Sequence, residues 1–205
     1  MSLSAIRGVG KASNWHRSTR FLLDPSVREQ LIEHMKASLP AEGVGLLGGT
    51  WTTQGPIGRW FYGGRNIDAA ATRYTMDPVD VAASMREFKR RGAEFTAVVH
   101  SHPCTPPTPS RTDLNEARRP WSLHVIVGFQ PAPEIRAWRF EFDRFGRADD
   151  YRELTIGLLA GETIANEPDS GAADAGTVRQ WERVKEWQWK HWRLRRAAGG
   201  WSKSA

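Results

Sequence analysis

Cysteine is nearly absent from this 205-residue chain, which carries only Cys104. No internal disulfide can form, and secretion is not favoured. The N-terminal stretch MSLSAIRGVGKASNW has no continuous apolar core, so it does not read as a signal peptide. No apolar run approaches the ~20 residues that a membrane-spanning helix needs. A cytoplasmic protein is the expectation. The body of the chain also lacks an excess of either charge. The net charge of +6 is carried entirely from Thr177 onward, where eight basic residues face two acids. The remainder is electrically balanced, so its surface gives no sign of nucleic-acid binding.

What is present suffices for a folded core. Hydrophobic residues make up 40% and charged residues 25%, as in an ordinary globular domain. Asp24-Pro25 is a helix-start signal, followed by Val27, Leu31, Met35 and Leu39 on one stripe until Pro40. Val44, Leu46 and Leu47 among glycines predict a short buried strand. Trp51 and Arg59–Tyr62 predict further strands, joined by a turn at Gln54-Gly55-Pro56. Asp77-Pro78 opens a second helix, striped by Val81, Met85 and Phe88 and capped at Gly92. A strand then runs into His100, a helix is expected from Ser110 to about Arg119, and strands follow at 123–129, 135–142 and 151–156. The expected fold is mixed α/β: one central, mixed and mostly antiparallel sheet flanked by helices. Residues 1–20 form an extension, 21–160 the folded domain, 161–176 a small, polar linker, and 177–205 a basic, Trp-rich helical tail.

The chemistry concentrates in VVHSHPCTPPTPSRTD, from Val98 to Asp113. His100 and His102 stand two apart on a strand, so both imidazoles share a face. They are either polar residues closing a strand or two ligands of one metal. Asp113 falls in the first turn of the next helix. Ser110-x-x-Asp113 reads as a capping box, which is compatible with Asp113 also being a ligand. Two imidazoles and a carboxylate suit Zn²⁺ with an open fourth position. Pro103, Pro106, Pro107 and Pro109 stiffen the loop between. Glu42, before the glycine-rich strand, is either a general base facing a cavity or a solvated glutamate at a helix–strand junction.

Together, Glu42, His100-Ser101-His102-Pro103 and Ser110-x-x-Asp113 resemble the signature of the JAMM (MPN+) metalloproteases. Glu42–Gly48 and Arg65-Asn66 are similar to the family's flanking segments, and the resemblance covers Phe21 to Ile156. It implies a cytidine-deaminase-like JAMM domain. His100, His102 and Asp113 would bind Zn²⁺, and Glu42 would act as general base on a zinc-bound water. Ser110 would help stabilise the oxyanion. The implied reaction is (iso)peptide hydrolysis after the C-terminal Gly-Gly of a ubiquitin-like protein, in deconjugation or precursor processing. Release of an amino acid from a sulfur-carrier protein is the alternative, and a non-catalytic MPN scaffold a weaker one, since every motif position is filled. Activating- and conjugating-enzyme partners would belong to the deconjugating case. A deaminase is set aside: Pro103-Cys104 is not followed by a second cysteine, since position 107 is Pro107, and no His-x-Glu precedes it. No Cys- or His-rich insertion is seen for a second zinc, so the chain resembles a bacterial or archaeal member.

Two features lie beside that signature. Cys104 is either an inert loop cysteine or a redox-sensitive latent ligand. In the tail, Trp181, Val184, Trp187, His191 and Leu194 fall at helical spacing, a stripe that should dock on its own domain, a second copy or a partner protein. A membrane surface is compatible but not favoured, and no specific nucleic-acid readout is expected. Arg195–Gly200 reads as a helix ending at glycine.

Overall fold

The computed structural model describes residues 18–52, 55–117 and 123–159. The linker, the Trp-rich tail and nearly all of the N-terminal extension lie outside the described residues. No helix among those described is long and apolar enough to cross a membrane.

The elements in chain order are β1 (Arg20–Leu23), α1 (Pro25–Ala37), β2 (Val44–Thr52), β3 (Gly55–Gly64), α2 (Pro78–Arg90), β4 (Glu94–His102), α3 (Arg111–Glu116), β5 (Leu123–Gly128), β6 (Glu134–Phe142) and β7 (Ala148–Leu158). Both long helices begin where the sequence places them. The Asp24 side chain accepts from Ser26 N at 2.9 Å, and Asp77 accepts from Val79 N at 2.9 Å, each with proline at the first helical position. The stripes Val27, Leu31, Met35 and Val81, Met85, Phe88 are buried as expected, but α1 ends at Ala37, so Leu39 falls beyond the first stripe and is exposed.

The sheet departs from expectation. Its strand order is β1-β3-β2-β4-β5-β6-β7, and β7 pairs back onto β1, so it closes into a barrel rather than ending in two edges. The closing strand is β1, at the boundary between the expected extension and the expected folded domain. Phe21 and Leu23 point inward and are fully buried, while β1 pairs in parallel with both β3 and β7. A four-residue strand has too little periodicity to announce itself, and its pairing with Arg20–Leu23 aligned to Thr155–Leu158 is entirely non-local.

The third helix is shorter than expected. It ends at Glu116, and Ala117 is extended (φ −63°, ψ 130°) rather than helical. Ala117 packs with Ile126, Trp138, Phe140 and Ala148 on one sheet face, which takes the chain out of the helix before Pro120. On the opposite face, Leu47, Ala97, Val99, Leu123, Val125, Ala137 and Leu154 pack with α1 in the main core. Alternation along β4 therefore sends Ala97 and Val99 into that core and His100 and His102 to the other side.

The glycines of β2 allow close packing. A Cβ at Gly49 would sit 1.7 Å from the Ile57 carbonyl oxygen, beside the register shift between Gly48 and Gly49. Gly92 is different: its φ of +63° is left-handed, but nothing lies within 4 Å of a Cβ there. Gly49→Ala should therefore cost more than about 2 kcal/mol, because backbone must move. Gly92→Ala should cost only about 1 kcal/mol of conformational strain. Urea unfolding of the two variants checks the order.

Candidate metal centre and its base

The register of β2 against β4 assembles the site. These strands are antiparallel, with Val44 opposite His100. Glu42 lies two residues before Val44, just outside this ladder, and its carboxyl feels the charges of His102 and Asp113. Ser101 locks this end of the pair: its N–H donates to Gly43 O at 3.0 Å, and its Oγ accepts from Gly43 N at 2.8 Å. On its other side, Glu42 N–H donates to Ala70 O at 2.8 Å and Glu42 O accepts from Asn66 Nδ2 at 2.9 Å. The backbone of Glu42 is thus fixed from both flanks.

His100, His102 and Asp113 are brought together, all buried, with their donor atoms within 4.8 Å of one another. The two Nε2 atoms are 3.2 Å apart. His100 Nε2 is 3.1 Å from Asp113 Oδ1, and His102 Nε2 is 3.4 Å from Asp113 Oδ2. Ligands at ~2.0–2.1 Å around a tetrahedral ion are separated by about 3.3 Å, so this donor set fits a zinc-sized ion. His102 Nδ1 is 2.9 Å from Pro106 O; a carbonyl only accepts, so this nitrogen carries a proton and Nε2 is the atom turned toward Asp113. Glu42, only 5% exposed, lies outside this group of donors.

Ser110 is the N-cap of α3 and completes a capping box with Asp113. Its Oγ accepts from Asp113 N at 3.1 Å and donates to Asp113 Oδ2 at 2.6 Å, while Ser110 N donates to the same oxygen at 2.7 Å. The cap therefore aims the Asp113 carboxylate as well as starting the helix. Cys104 is exposed and outside the donor group.

The charges are strongly coupled. Burial pushes Asp113 upward, but His100, His102 and Ser110 together outweigh it and hold the carboxyl well below the usual range. For His102 burial acts downward, and its hydrogen bonds to Asp113 and Pro106 more than reverse that. Glu42 is pushed up from 4.5 to about 7, chiefly by burial; His102 pulls it down and Asp113 and Glu116 push it further up.

Three neighbours carry no signal in the sequence as site residues. Tyr74 stacks on His100, with ring centroids 4.6 Å apart and planes at 27°. His124 lies on the same sheet face, stacked on Phe140 at 3.9 Å, and burial lowers its pKa to about 3, so it stays neutral. The Pro106 carbonyl orients His102. Only the strand parity of His124 with Ile126 could have hinted at its position; the other two contacts depend on loop paths.

Metal-stripped protein should show the cost of Glu42. A folded-state pKa raised to about 7 gives stability that is present below the ordinary 4.5 and is lost as pH rises through 7. Melting curves in chelator should therefore coincide for wild type and Glu42→Gln below pH 4.5. Above pH 7 the variant should melt higher.

Residues 24–141 match the family described as prokaryotic homologs of the JAB domain. A probable TtuB-protein conjugate cleaving protease of Thermus thermophilus is 29% identical over 99 residues, 48% of this chain and 63% of that protein, so the match spans less than two thirds of its length. The desampylase of Haloferax volcanii is 26% identical over 151 residues, covering 69% of this chain and 98% of the relative. The solution structure of a Desulfitobacterium hafniense protein superposes with a TM-score of 0.61 at 25% identity, over 69% of this chain and 94% of that one. A Salinibacter ruber protein gives a TM-score of 0.51 at 25% identity, over 74% and 95% of the two chains. With more than half of its length matched, the chain belongs to the prokaryotic JAB-domain family.

Proposed function

We propose that this protein is a zinc-dependent isopeptidase of the JAMM type, cleaving after the C-terminal Gly-Gly of a ubiquitin-like protein. The observation that carries the reading is the geometry at the end of β4. Three donors stand at tetrahedral spacing, and a buried glutamate outside the donor set is close enough to feel the charges of His102 and Asp113. The names of the two relatives, a conjugate cleaving protease and a desampylase, support a protein-conjugate substrate.

His100 Nε2, His102 Nε2 and an Asp113 oxygen would hold the ion. When bound, zinc supplies Lewis acidity toward a carbonyl and toward water. Glu42 does the proton work. In the metal-free site burial holds it near neutrality, and a carboxyl at this place can both take a proton from the attacking water and return it to the leaving amine. Its backbone is pinned by Asn66, Ala70 and, through Gly43, Ser101, so the carboxyl group is presented from a rigid strand end. Ser110 serves the developing oxyanion by turning its hydroxyl from Asp113 Oδ2 toward the substrate; the residue is exposed and its bond to Asp113 only partly buried.

The test is a ubiquitin-like protein ending in Gly-Gly and joined to a lysine side chain. Zinc-loaded protein should release the two parts, and chelator should stop it. Glu42→Gln should lower the rate by at least about 100-fold with zinc still stoichiometric, whereas His100→Ala should lose the metal. A fully active Glu42→Gln variant would sink the assignment of the base.

A further inference from the structure

The two histidines of the centre are held by different means. His102 has its second nitrogen on the Pro106 carbonyl, the usual way a metal-binding imidazole is oriented. His100 is fully buried, and its Nδ1 has no hydrogen-bond partner among the described residues. What lies against the His100 ring is Tyr74, near-parallel at 4.6 Å. The remaining ring contact of His100 is with His102 itself, tilted at 53°.

Tyr74 is not placed there by a helix or strand. It sits in the segment between β3 and α2, and the Asn66 side chain holds that segment shut. Asn66 Nδ2 donates to Arg73 O at 3.1 Å, and Asn66 Oδ1 accepts from Thr75 N at 3.1 Å and Asp68 N at 3.1 Å. These bonds grip the backbone on both sides of Tyr74. The same Nδ2 donates to Glu42 O, so one amide reaches both the base and the tyrosine. Ile67 N–H donates to Thr75 O at 2.9 Å, Asn66 bridges Met76, and Thr75 Oγ1 donates to Asp68 Oδ2 at 2.6 Å, which tie the two ends of the segment.

We propose that Tyr74 is the positioning residue for His100. Its ring, held in place by Asn66, does by stacking what the Pro106 carbonyl does for His102 by hydrogen bonding, and so sets the first ligand at its distance from Asp113 and His102. The inference rests on the metal reading above. A flat aromatic face restricts imidazole tilt and excludes water from one side of the ring. The phenol oxygen is not needed for this, so phenylalanine should substitute and an aliphatic side chain should not.

The readout is zinc itself. Dissociation is followed by transfer to a chromophoric chelator, with a cobalt-substituted sample to report coordination geometry in the visible spectrum. Tyr74→Leu should release zinc about 10- to 100-fold faster and shift the cobalt bands, while Tyr74→Phe should behave as wild type. Asn66→Ala should also speed release, and should add little in the Tyr74→Leu background, because it acts through the same ring. Equal release from wild type and Tyr74→Leu overturns the proposal, and so does a Tyr74→Phe variant that releases zinc about 10-fold or more faster than wild type, a comparison that stands even if the leucine variant does not fold. If wild-type protein binds no zinc, the metal reading fails and takes this inference with it.

Discussion

The pairing of β2 with β4 is the constraint on which the centre depends. Setting Val44 opposite His100 brings the segment just before β2, with Glu42, to the histidine end of β4 although 60 positions separate Glu42 from His102, and Ser101 holds Gly43 where the ladder ends. A shift of one residue would send either the histidines or the glutamate to the other face. The glycine-rich character of β2 belongs to the same constraint. Side chains at Gly45, Gly48 or Gly49 would collide with Phe61, Phe88 and Ile57, so β2 can lie this close to its neighbours only without them. Residues remote from the chemistry therefore decide whether its parts meet.

The ionisable groups at the end of β4 run against the logic of a core. Two imidazoles and a carboxylate share a space nearly sealed from water, with a second carboxyl close enough to feel the charges of His102 and Asp113. Such burial is costly unless charges compensate one another. The compensation is partial by construction: Asp113 is stabilised as an anion by its neighbours, while Glu42 is left unpaired enough to be pushed toward neutrality. Two carboxyls that feel the same histidine thus acquire opposite tendencies, one to hold charge and one to exchange a proton.

Much of this was legible in the sequence, and the legible part is local. Caps at Asp24 and Asp77, the stripes of α1 and α2, the strand parity of His100 and His102, and the Ser110–Asp113 box all rest on spacings of four residues or fewer. The reading of α3 went too far because nothing local tells that Ala117 leaves the helix to pack on Ile126 and Trp138. Barrel closure and the contact of Tyr74 with His100 were not readable at all. Each joins segments by a path through loops, and a tyrosine three positions before a helix-capping aspartate looks like any loop aromatic. Asn66 stood out only through resemblance to a family segment; its hydrogen bonds to Glu42, Arg73, Asp68 and Thr75 supply the physical reason.

Closure of the sheet by β1 also bears on how the chain is made. The first strand in the described order pairs with the last, Arg20 with Thr155 through Leu23 with Leu158. During synthesis β1 is released early and must wait, its Phe21 and Leu23 without half of their eventual surroundings, until β7 has been translated. Contacts this distant in sequence slow folding, and unpaired strand edges are vulnerable meanwhile. The β4–β5 segment bearing the two histidines can form before that step, so the histidine strand would be laid down ahead of the wall that finally encloses the core behind it.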